Sequence, residues 1–287
     1  MQWPTPPDTV TDDLGATESA VNPPRRLIVT IYALYARETQ NWLSVSSLVR
    51  LLGDLGVDEP SVRSSISRLK RRGILVSHRK DGVVGYALSE SALDIIHEGD
   101  QRIFHTSRAS VSDGWLMAVF SIPESERGKR HAIRTILTSK GFGTTAPGVW
   151  IAPAHLQQGT ADALRAAGLD QFVDLFRAEH IAFADLREKV AQWWNLDQLH
   201  ELYAEFIDQF QPLYHRVTDR PEISPRDAFV AYVQMLTTWR RLPYLDPGLP
   251  LELLPGDWNG ATAATIFNRL QQVLAEPAHD HVRLLLS

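Results

Sequence analysis

Cysteine is absent from all 287 residues. That absence excludes thiol catalysis, Cys-ligated zinc, iron–sulfur clusters and disulfide scaffolds at once. No run approaches ~18 consecutive apolar residues, so no helical membrane span is expected. The first residues, MQWPTPPDTVTDDLGATESAVNP, hold four prolines, several acids and no apolar run. They lack the pattern of a signal peptide and read as a disordered leader over residues 1–23. No internal repeat is visible, and the expected compartment is the cytoplasm.

What is present is ordinary globular material, 44% hydrophobic and 22% charged, long enough for two or three domains and an unstapled core. The net charge of −5 is unevenly spread. Residues 24–90 hold 11 Lys/Arg against 6 Asp/Glu, a net of +5, which leaves −10 on the remainder. A basic module on an acidic body points to a nucleic-acid partner more strongly than either figure alone.

The basic module reads as three helices and a hairpin. Pro24 opens PRRLIVTIYALYARE, with Leu27, Ile31, Leu34 and Tyr35 on one face. Ser44 is the expected N-cap of a second helix whose stripe is Leu48, Leu51, Leu52 and Leu55, with Gly56 at its end. After the turn VDEP, PSVRSSISRLKRRG forms a third helix ending at Gly73. Val62, Ile66 and Leu69 make its narrow inward stripe, and no acid occurs between Glu59 and Asp81. This order predicts a helix-turn-helix. The runs flanking Asp81-Gly82 predict a hairpin wing with Arg79 and Lys80 at its tip. Arg63, Ser64, Ser67 and Arg68 are the expected base readers, with Ser61 on the same helix. Arg71, Arg72, Arg79 and Lys80 are the expected phosphate contacts, and Arg25, Arg26 and Arg50 fit either role.

Residues 91–112 read as a helical linker. Residues 113–185 alternate a strand from Trp115, a helix over ESERGKRHAIRTILTSKG, a turn and strand in FGTTAPGVWIAP, a helix over ADALRAAG and the strand FVDLFRA. That order predicts a ferredoxin-like sandwich. Residues 186–287 read as a helical domain, with Leu186 to His215 helical and ATAATIFNRLQQVLAE the last helix. The expected fold class is therefore multidomain α+β. GFGTTAPG matches no phosphate-loop pattern, and no Ser-His-Asp set sits in a nucleophile elbow. His279 and His281 fall in what reads as a solvated polar tail. Arg240-Arg241 beside Trp239 reads either as an anion site or as a structural ion pair. No catalytic group, metal site or cofactor is expected.

Three stretches carry a specific resemblance. PRRLIVTIYALY with VRSSISRLKRRGIL, then FGTTAPGVWIAP, then TTWRRLPYLDPGLPLELLPGDWNG together resemble the PaaX family of bacterial transcriptional repressors, from about Pro24 to Ala275. The resemblance implies a winged helix, a central domain similar to Cas2 proteins and a helical C-terminal effector and dimerisation domain. It also implies a homodimer on double-stranded operator DNA, released by an aryl-CoA thioester such as phenylacetyl-CoA. A CoA ligand needs cations and an apolar slot, for which Arg127, Lys129, Arg130, Arg134, Arg240 and Arg241 with Trp150 or Trp239 are the candidates. The alternatives are a Cas2-like metal-dependent nuclease and an effector-insensitive scaffold tethered to DNA. The strand WLMAVFSIPES lacks the aspartate that the nuclease would use.

Overall fold

A computed structural model describes residues 22–104, 108–181, 183, 185–220 and 222–286. All but the last two residues of the expected leader lie outside the described residues. In chain order the elements begin α1 (Pro24–Tyr35), β1 (Trp42–Ser44), α2 (Val45–Asp54), α3 (Glu59–Arg71), β2 (Leu75–Lys80), β3 (Val83–Leu88) and α4 (Glu90–Phe104). Next come β4 (Trp115–Phe120), α5 (Arg127–Ser139), β5 (Gly143–Ala146), β6 (Val149–Pro153), α6 (Gln157–Ala166) and β7 (Val173–Ala178). The chain ends with α7 (Leu186–Trp193), α8 (Leu196–Asp219), α9 (Pro225–Trp239), α10 (Leu242–Leu245) and α11 (Asn259–Leu286). They form two compact units, each discontinuous in sequence. The first takes residues 22–104, 204–241 and 260–286, and the second takes residues 108–203 and 242–259.

In the first unit, local chemistry sets each boundary. Ser44 Oγ accepts from Ser47 N at 2.9 Å to cap α2, and Asp58 Oδ1 accepts from Ser61 N at 2.9 Å to cap α3. At the end of α3 the chain turns through Gly73 at φ 71°, with Ile74 N donating to Leu69 O at 3.0 Å. Only glycine takes that conformation cheaply. Asp81 and Gly82, at φ 50° and 81°, turn the hairpin that pairs Lys80 with Val83. Strand β3 lies between β1 and β2, antiparallel to both. Tyr32 Oη donates to Tyr86 O at 2.8 Å, fixing α1 on this sheet. Trp42 crosses β3 over Gly85 and donates Nε1 to His78 O at 3.0 Å.

Helix α1 is buried more completely than one amphipathic face would be. Ile28, Val29, Thr30 and Tyr32 join Leu27, Ile31 and Tyr35 inside, whereas Leu34 is half-buried. The cause is that α3 packs on one side of α1 and α9 on another. Thr30 and Thr237 face each other across the α1–α9 contact, Oγ1 to Oγ1 at 2.8 Å. Trp239 stacks on Phe267 at 4.4 Å between ring centroids, joining α9 to α11.

Helix α11 runs 28 residues to Leu286, through Pro277, instead of stopping near Glu276. Leu274, Ala278 and Val282 are buried at four-residue spacing, and that burial carries the helix past the proline. The helical run expected from Leu186 to His215 is broken at Trp194-Asn195, where Asn195 Oδ1 accepts from Gln198 N at 3.2 Å and starts α8.

The second unit is a four-stranded antiparallel sheet in the order β5-β6-β4-β7, with α5 and α6 as the connecting helices of a split βαβ pattern. Leu116, Ala118 and Phe120 of β4 meet Ile133 and Leu137 of α5 and Leu164 of α6 in one core. Trp115 faces away from that core, against Trp193 and Trp194 at 6.0 and 6.1 Å. Apolar residues on both faces explain the unbroken run in β4.

Candidate nucleic-acid interface and ligand cleft

Burial of Val62, Ile66 and Leu69, with Ser65, turns the rest of α3 outward. Arg63, Ser64, Ser67, Arg68, Arg71 and Arg72 are all exposed. Arg63 is held by Glu59 one turn earlier, Nε to Oε1 at 2.8 Å. The side chains of Arg68, Lys70, Arg71 and Arg79 make no hydrogen bond or ion pair among the described residues. Lys80 Nζ donates to Gln40 Oε1 at 3.2 Å. Ser61 Oγ donates to Asp58 Oδ2 at 2.8 Å, so its hydroxyl serves the cap. Those Ser61 bonds hold the Asp58 carboxyl below its ordinary range. The chain thus presents a row of cations and small hydroxyls that is acid-free after Glu59, with more cations at the hairpin tip.

Arg26 does not belong to this surface. It is 2% exposed, and its carbonyl accepts from Arg240 Nη2 at 3.3 Å within the α1–α9 contact. Arg25 is half-buried on the same helix. Arg50 is exposed and donates to Leu285 O at 3.3 Å.

His279 and His281 sit in α11, not in a solvated tail. His281 Nε2 lies 2.8 Å from Asp54 Oδ2, and Arg226 Nε reaches Asp54 Oδ1 at 2.7 Å. Burial pushes the Asp54 carboxyl up, but the hydrogen bonds and charges of Arg226 and His281 outweigh it and hold it below the usual range. His279 packs edge-on against Tyr35 at 4.8 Å between ring centroids. Among the described residues no group of three or more His, Asp and Glu is placed to hold a metal ion. Among the described residues no helix is long and apolar enough to cross a membrane.

The residues expected to hold an effector separate into two sets. Arg130, Arg134 and Trp150 line one cleft of about 560 Å³ in the second unit, with Phe120, Ser121, Ile122 and the turn 144–148. Arg127 is exposed on α5 and is not in the lining. Trp239, Arg240 and Arg241 belong to the first unit. There Trp239 and Arg240 are interior, at 2% and 5% exposed. Burial lowers the Arg241 pKa, against the opposing charge of Glu205.

Thr144, Thr145 and Gly148 are cleft residues that motif matching sets aside, because GFGTTAPG fits no phosphate-loop pattern. The local signal is Gly148. It has φ 78°, and a Cβ there would meet Phe120 O at 2.6 Å. Its carbonyl accepts from Phe120 N at 2.9 Å, which ties the turn to the end of β4.

Similarity to known proteins runs along nearly the whole described chain. Residues 23–92 match the PaaX-like protein family, residues 108–190 the PaaX protein central Cas2-like domain, and residues 194–284 the PaaX-like protein C-terminal domain. The transcriptional repressor PaaX of Escherichia coli (strain K12) is 29% identical over 258 residues, covering 88% of this chain and 80% of its own. That relative is a regulator, not an enzyme. An uncharacterized protein from Mycobacterium tuberculosis shares the fold with a TM-score of 0.57 at 25% identity, covering 89% of this chain and 97% of its own. With three matching domains in the same order, the chain belongs to the PaaX family.

Proposed function

We propose that this chain is a transcriptional repressor whose residues 24–90 are a winged helix-turn-helix binding double-stranded operator DNA. In this reading residues 91–112 link that module to the central domain, 113–185. Residues 186–287 supply effector response and dimerisation in the cytoplasm. The observation that carries the reading is the exposed, largely unpaired cationic face of α3 together with the basic hairpin tip. Arg63, Ser64, Ser67 and Arg68 read bases, while Arg71, Arg72, Arg79 and Lys80 hold phosphates. A two-fold dimer places two copies of α3 in major grooves about one helical turn (~10 bp) apart, so the operator is a partial palindrome. An aryl-CoA thioester such as phenylacetyl-CoA releases the DNA by favouring the arrangement that cannot bind it.

The test is a gel shift on the DNA upstream of the chain's own coding sequence, titrated with phenylacetyl-CoA and free phenylacetate. Retardation by the wild type, its loss in Arg68→Ala and release by the thioester alone are expected. Arg79→Ala should flatten the slope of log affinity against log salt by about one unit. Retardation that is unchanged in Arg68→Ala overturns the DNA-facing role of α3. Retardation that no acyl-CoA relieves leaves a DNA-bound scaffold.

A further inference from the structure

Two arginines one turn apart on the same face of α5, Arg130 and Arg134, open onto a cleft whose lining contains no carboxylate. Like charges at this spacing cost helix stability. Arg130 is committed elsewhere, since Nη2 donates to Ile122 O at 2.5 Å and Nη1 pairs with Glu124 Oε2 at 3.2 Å. Arg134 is not committed, because its guanidinium has no hydrogen bond or ion pair among the described residues. In the same lining the hydroxyl of Thr144 likewise has no partner among the described residues, while Thr145 Oγ1 donates back to Val149 O at 3.1 Å. The strand pairing slips between Thr144 and Ala146, a bulge of the kind that re-aims side chains beside a site. Phe120 and Trp150 supply an apolar floor.

We infer that this cleft binds a phosphate-bearing small molecule, with Arg134 and Thr144 holding the phosphate and Phe120 and Trp150 under an apolar part. The chemistry follows from the lining. A free guanidinium and a free hydroxyl in one lining suit the oxygens of a phosphate, with Arg130, already bonded to Ile122 O and Glu124, in the same lining. About 560 Å³ is the size of a small-molecule pocket, and an aromatic floor asks for more than an inorganic ion. The site lies wholly within the second unit, so it needs none of Trp239, Arg240 and Arg241. The proposal deepens the effector-response reading by giving that ligand a place, and it rests on that reading for its biological meaning.

Calorimetry on the full chain tests it with phenylacetyl-CoA, inorganic pyrophosphate and a short oligothymidylate as probes. The variants are Arg134→Ala, Thr144→Val and, as control, Arg165→Ala on α6, where Arg165 pairs with Asp162 away from the cleft. Saturable binding of phenylacetyl-CoA is expected, with weaker saturable binding of pyrophosphate. Arg134→Ala should weaken both by about tenfold or more, the worth of one charge-assisted hydrogen bond. Thr144→Val should weaken them less, Arg165→Ala should have no effect, and melting should be unchanged in all three. Binding that survives Arg134→Ala intact overturns the site, as does the absence of saturable binding by either phosphate probe. Arg134-dependent binding of the oligothymidylate alone overturns it too, and makes the cleft a nucleic-acid contact. Operator retardation is read separately, so a chain that fills the cleft but retards no DNA refutes the repressor reading and not this one.

Discussion

Gly85 occupies a position where any side chain collides with the sheet. A Cβ there would lie 2.5 Å from Leu43 O and from the Trp42 indole, both parts of the β1–β3 pairing. Gly85→Ala is therefore expected to lower stability by about 1–3 kcal/mol, through overpacking, in urea unfolding of the full chain. The indole must move off β3 and release His78 O. Asp54 makes a different kind of prediction. Its folded pKa is depressed, so its contribution is complete above the unfolded carboxyl value and is lost as pH falls through the folded one. Asp54→Asn should be less stable than the wild type at neutral pH, and the two should converge once the pH falls below the depressed folded value. Parallel pH–stability curves for the two proteins would show that Asp54 is not a linked group.

At the scale of single elements, boundaries set by short-range chemistry were legible in the chain. Ser44, Gly73 and the Asp81-Gly82 pair act within a few residues, and each does in the structure what its local context requires. Long-range packing was not legible. Helix α1 looks one-sided in sequence, and its other side is covered by α9, some two hundred residues later. The end of α11 fails for the same reason, because Pro277 reads as a stop while tertiary burial of Ala278 and Val282 overrides it. Proline at 277 leaves Val273 O without its helical donor. Pro277→Ala should restore that bond and stabilise the fold by about 1–3 kcal/mol. A circular-dichroism melt reads the gain. A lower midpoint would mean that the proline shapes a bend which the α11 packing needs.

At the scale of the whole molecule, the candidate site divides in the same way. The cationic face of α3 follows from helical periodicity and could be read directly. The interior place of Arg26, and the division of the effector candidates between two units, depend on which distant segments share a core. The first unit draws on residues 22–104, 204–241 and 260–286, so the proposed DNA module does not stand on one continuous segment. A chain ending at Glu276 would lose the His281–Asp54 contact, the Arg50 bond to Leu285 O and the buried Val282. It is expected to melt at lower temperature and to bind operator DNA more weakly, by thermal denaturation and gel shift. Full operator affinity in that truncated chain would show that α3 is held without its C-terminal support.

The Asp54–His281 contact joins residues 227 positions apart. At ribosomal rates of about 5–20 residues per second, α2 emerges roughly 10–45 s before its partner exists. The part proposed to touch DNA is thus made long before the residue that steadies it. Until residue 281 is made, a nascent chain lacks the clasp that steadies α2.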